Sequence, residues 1–101
     1  MRLTPREIQV LKEVGAEVFG LQARLFLFGS RLDDARRGGD VDLYVTGFVR
    51  PLAEQLDAKL HFLVKAKERL GEQRIDVVFT AGPGESLTPI QQIAEKTGVP
   101  L

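Results

Sequence analysis

Leu25-Phe26-Leu27-Phe28-Gly29-Ser30 and Asp40-Val41-Asp42-Leu43-Tyr44-Val45, nine residues apart, decide how this chain folds. The first block is a short unbroken apolar run ending at Gly29, the pattern of a central strand buried on both faces. The second alternates with period two. That predicts a strand with Asp40 and Asp42 on one face and Val41, Leu43 and Val45 on the other. The linking segment, Arg31 to Gly39, is shorter than the dozen or so residues a parallel crossover needs, so the two strands should pair antiparallel. Within that link, Ser30-Arg31-Leu32-Asp33 has the form of a capped start to a short helix reaching Arg37 and stopping at Gly38-Gly39.

Outward from this core, Thr4-Pro5-Arg6-Glu7 has the residues of a capping box with proline at the first helical position. Ile8, Leu11, Val14 and Val18 continue it as a helix to about Gly20. On the other side, Gly47 and Pro51 punctuate a loop. Leu52, Leu56, Leu60, Leu63 and Leu70 then mark the apolar side of a long amphipathic helix closed by Gly71. Arg74-Ile75-Asp76-Val77-Val78-Phe79 predicts a third strand, and Thr88-Pro89-Ile90-Gln91 opens a last helix to about Thr97, with Gly98 as its stop. The long helix between strands two and three allows a parallel crossover. The expectation is a single α/β (α+β) domain over residues 1–101, ordered αβαβαβα, with a small mixed sheet and helices mainly on one face.

This topology has a chemical consequence. Strands two and three as parallel neighbours bring Asp76 beside Asp40 and Asp42. Strand one, antiparallel to strand two, ends with Gly29-Ser30 at the same edge. Three packed carboxylates repel one another and call for a cation. Mg²⁺, bound through a few carboxylates and substrate phosphates, suits them, and a pair of such ions about 4 Å apart suits an in-line displacement. Gly29 permits close approach of a phosphate, and Ser30 at a helix start offers donors where the helix dipole favours an anion. The set Gly29, Ser30, Asp40, Asp42 and Asp76 therefore points to phosphoryl or nucleotidyl transfer.

Composition narrows the alternatives. Apolar residues at 44% are enough for a packed core. Fourteen basic residues balance fourteen acidic ones, which gives no bulk drive toward nucleic acid or an acidic membrane. A near-neutral surface on so small a domain also suits a homo- or hetero-oligomer better than a free monomer. The absence of cysteine removes disulfides, thiolate metal sites and cysteine nucleophiles, and the single histidine, His61, cannot form a histidine cluster. No membrane-spanning run or signal-peptide pattern is present, so the chain reads as cytoplasmic.

Leu27-Phe28-Gly29-Ser30, the nine-residue spacer and Asp40-Val41-Asp42-Leu43 resemble the signature of the DNA polymerase β-like nucleotidyltransferase superfamily, with Ile75-Asp76-Val77 matching its third acid. The chain's length most resembles the minimal nucleotidyltransferases. The resemblance implies a nucleotidyltransferase fold in which Asp40, Asp42 and Asp76 hold Mg²⁺. Asp76 would also help deprotonate an acceptor hydroxyl, and Gly29, Ser30 and Arg31 would lie at the phosphates of ATP or another nucleoside triphosphate. It further implies a partner, a helical HEPN-domain toxin, silenced by transfer of AMP onto a hydroxyl. Two other outcomes fit the same resemblance: an antitoxin acting by binding alone, and a small-molecule enzyme of the aminoglycoside-modifying kind.

The spacer departs from relatives that read Gly-Ser-Arg-Ala-Arg-Gly. Arg31 is kept, but Leu32-Asp33-Asp34 brings two acids toward a triphosphate, which should weaken nucleotide affinity. Arg31, Arg36 and Arg37 can bind phosphate or pair with Asp33 and Asp34. His61, Lys59, Lys65, Lys67 and Arg69 read as a solvated helix face. Tyr44, on the Asp42 face by parity, can flank a base or pack at the core's edge. Phe19, Phe48 and Phe62 suit either the core or a partner surface.

Overall fold

Thr4 starts the first helix as its sequence predicts. Its hydroxyl accepts from the Glu7 amide, and the Glu7 carboxylate accepts in return from the Thr4 amide at 2.9 Å. The helix, α1, runs Pro5–Phe19. The computed structural model describes residues 3–29 and 41–101, so the expected helix from Ser30 to Arg37 lies outside the described residues. After α1 come β1 (Arg24–Phe28), β2 (Val41–Thr46), α2 (Leu52–Leu70), β3 (Ile75–Phe79), α3 (Pro89–Thr97) and β4 (Val99–Pro100). Thr88 opens α3 with a second capping box, closed by Gln91.

The strands form a mixed sheet in the order β3-β2-β1-β4. β1 and β2 are antiparallel, with Leu27 opposite Leu43 and Phe28 opposite Asp42. β2 and β3 are parallel, with Asp42 opposite Asp76 and Leu43 opposite Val77. Both senses agree with those read from the connection lengths. β4 was not expected. It is a two-residue edge pairing of Leu27 with Val99 and Phe26 with Pro100. Two residues are too few to show an alternation, and proline is tolerated there because an edge strand need not donate on its outer side.

One face of the sheet carries Leu25, Leu27, Val41, Leu43, Val45, Ile75 and Val77, buried against α1 and α2 in the main core. Phe19, Phe48, Phe62 and Phe79 form a linked ring cluster in it. Phe19 stacks on Phe62 at 5.2 Å between centroids and meets Phe48 and Phe79 edge-on at 5.3 and 5.6 Å. These phenylalanines are core residues. Outside the core, α1 and α2 run antiparallel and are clasped by Glu13–Arg69 and Glu17–Lys65 contacts, each 2.8 Å.

One feature departs from the sequence reading and a second refines it. First, α2 has the expected extent, and Leu63 and Leu70 pack against the core, but its buried residues are Ala58, Phe62 and Ala66. Leu52, Leu56, Leu60 and Val64 stand 70, 52, 62 and 58% exposed. The alanines let the helix approach closely with Phe62 filling the gap, which a row of leucines would prevent. Second, α1 and α2 share one face, in keeping with helices mainly on one face, while α3 covers the other. There Ala94 packs with Phe28 and Tyr44, flanked by Phe26 and Val78. Gln91 anchors it by donating to the Phe79 carbonyl at 2.8 Å.

Candidate nucleotidyl-transfer site

Side-chain alternation places Asp42 and Asp76 on the α3 face, at the starts of two parallel strands. Directly paired residues on adjacent strands lie about 4.8 Å apart in the hydrogen-bonding direction, so the two carboxylates share one stretch of surface. The Asp76 carboxylate is oriented through a single oxygen. Its Oδ1 accepts from its neighbour's amide, Val77, at 3.0 Å and from the Lys59 ammonium at 3.3 Å. Among the described residues no donor reaches Oδ2.

Gly29 closes the site from the end of β1. Its φ of +82° lies in the left-handed region. A Cβ there would collide with Asp42 Oδ2 and stand 3.1 Å from Asp42 Cγ. Only glycine satisfies both conditions, because it lacks the atom that clashes and accepts the backbone angle at no steric cost. Phe28, opposite Asp42, is buried and fixes the strand end that carries Gly29.

Ser30, Arg31 and Asp40, all expected at this site, lie outside the described residues. Among the described residues no group of three histidine, aspartate or glutamate side chains is placed to hold a metal ion. The described donors nonetheless fit a hard divalent cation in kind. They are carboxylate oxygens from two adjacent strands, beside a glycine whose missing side chain gives the Asp42 carboxylate room.

One residue placement was not legible in the sequence, and for Tyr44 the structure selects one of two open readings, packing at the core's edge. Lys59, read as part of a solvated face, instead reaches Asp76 from α2. Tyr44 is buried, and its hydroxyl donates to Glu95 Oε2 of α3 at 2.8 Å. Burial is the main cause pushing the Tyr44 pKa above its ordinary value; Thr80 opposes the shift and Glu95 adds to it. The phenol therefore stays neutral and ties α3 to the sheet. Beside it a cleft of about 310 Å³, lined by Phe26, Tyr44, Thr80 and Glu95 among others, opens on the sheet face that bears the aspartates. His61 is on the surface, 3.7 Å from Asp57. Among the described residues no helix is long and apolar enough to cross a membrane. Compared with known proteins, the chain matches no family model and no curated protein.

Proposed function

We propose that this chain is a Mg²⁺-dependent nucleotidyltransferase that moves AMP from ATP onto a hydroxyl of a HEPN-type partner protein, and so acts as that partner's antitoxin. The observation that carries this reading is the in-register pairing of Asp42 with Asp76 beside Gly29. Asp40, Asp42 and Asp76 would hold the divalent ions, which when bound supply charge neutralisation for the attacking and leaving oxygens. Gly29, Ser30 and Arg31 would receive the phosphates. In the reaction, the acceptor oxygen bonds to the α-phosphorus of ATP while the bond to the bridging oxygen breaks and pyrophosphate leaves. The acceptor's proton passes to the Asp76 carboxylate. The cleft beside Tyr44 gives room on the same face for a base or an acceptor side chain. The cytoplasm, which supplies ATP and Mg²⁺, is the compartment this function requires.

The test is mass spectrometry of a HEPN partner co-expressed with this chain. One added nucleotide on the partner, present with the parent chain and absent with Asp76→Asn, is the expected result. Unmodified partner that is nevertheless neutralised would transfer the case to the second reading, an antitoxin acting by binding alone. That reading is favoured by one observation, the exposed row Leu52, Leu56, Leu60 and Val64 along α2. A continuous apolar row at i, i+4 spacing is the pattern of a helix that lays one side against another protein.

Both readings use that row to hold the partner. Leu60→Glu places a charge in its middle and should weaken partner binding by at least about 10-fold, as burying an unpaired charge in an interface does. Because Leu60 is exposed in the free chain, thermal stability should change little. Pull-down titration alongside a melting curve measures both. Unaltered binding would remove α2 as the docking surface.

A further inference from the structure

Lys59 sits on α2, one residue past the buried Ala58, on the opposite side of the sheet from the aspartates. β3 is an edge strand, and the Lys59 side chain passes that edge to place Nζ 3.3 Å from Asp76 Oδ1. The lysine is the more covered partner, its side chain 30% exposed against 60% for Asp76. A cation is therefore already present at the acidic pair, and it is part of the chain.

We propose that Lys59 is a resident counter-ion of Asp76 and weakens the uptake of a divalent cation by the Asp42–Asp76 pair. This inference rests on the proposed function, since it assumes that the pair receives a metal ion. Two like charges on neighbouring strands repel, and an ammonium beside one of them relieves that repulsion while no metal is bound. When a divalent ion approaches Oδ2, the same ammonium, held on Oδ1 of the same carboxylate, repels it. Lys59 thus lowers cation affinity while offsetting part of the repulsion at the metal-free site. The Val77 amide still orients Oδ1 when the lysine is removed, so electrostatics and not carboxylate geometry dominates the change.

Mn²⁺ alone is the probe, titrated by electron paramagnetic resonance of the free ion against the parent chain, Lys59→Met, Lys59→Arg and Asp76→Asn. Methionine keeps the length and helix propensity of lysine without its charge. Lys59→Met should bind Mn²⁺ about 3- to 10-fold more tightly at low ionic strength, as expected for a partly screened like charge nearby. The gain should shrink as salt approaches about 0.15 M. Lys59→Arg should match the parent, and Asp76→Asn should lose binding with or without Lys59. A merely structural lysine would move the melting temperature and leave the salt-dependent Mn²⁺ affinity unchanged. If the parent binds Mn²⁺ and Lys59→Met binds it no more tightly, this inference fails alone. If no form binds Mn²⁺, the metal-dependent function fails and takes this inference with it.

Discussion

Asp76→Asn should leave the fold intact and reduce nucleotide transfer from Mg-ATP by at least about 100-fold, the scale on which a single electrostatic contributor to a transition state is lost. The substitution keeps the size and one oxygen of the side chain but removes its negative charge. Little structure depends on that charge. The carboxylate is 60% exposed, and its contact with Lys59 is a partly exposed pair worth at most about 1 kcal/mol. Relief of repulsion from Asp42, directly opposite in the parallel ladder, offsets part of even that loss. Activity and stability should therefore separate. Asp42→Asn should behave in the same way, and the double variant should be no worse than either single one, because groups acting as one unit do not contribute additively. Label transfer measured beside a thermal melt checks this. Full activity in either single variant would contradict the assigned roles.

Phe62→Ala should have the opposite profile, a large loss of stability. Phe62 is fully buried and stacks on Phe19 at 22° between ring planes, and Phe19 in turn contacts the rings of Phe48 and Phe79. The cluster joins α1, α2, the loop after β2 and the end of β3. Removing one ring deletes buried area and leaves a cavity that the flanking Ala58 and Ala66 are too small to fill. Such truncations cost about 3–5 kcal/mol. In a domain of this size that lowers the melting temperature by roughly 12–40 °C. Urea denaturation should show the midpoint falling accordingly, whereas Leu60→Ala on the exposed side of the same helix should change stability by no more than about 0.5 kcal/mol. Similar midpoints for the two variants would mean that α2 buries its leucine row after all.

The two profiles follow from different parts of the sequence. Local signals were legible because they act within a few residues. Thr4 with Glu7, and Thr88 with Gln91, define helix starts by reciprocal hydrogen bonds that need no tertiary partner. The alternation of Val41, Leu43 and Val45 with Asp42 and Tyr44 assigns faces for the same reason. The pairing senses were legible through chain length. A nine-residue link cannot make a parallel crossover, while a long helix can, and those two limits place Gly29, Asp42 and Asp76 at one edge.

The sequence by itself thus determined the described helices, the three longer strands with their pairing, and the meeting of two aspartates with a glycine. Tertiary structure alone decided which side of α2 is buried, because two apolar rows share that helix. The row of small residues around Phe62 wins by allowing close approach, and this leaves Leu52, Leu56, Leu60 and Val64 exposed. It also decided that α3 crosses to the aspartate face and ties down through Tyr44 and Glu95, since a nine-residue helix carries no instruction about which face it covers. Lys59 is the clearest case. Nothing in its neighbourhood distinguishes it from other helix lysines, and only the position of α2 against an edge strand brings its ammonium around to Asp76.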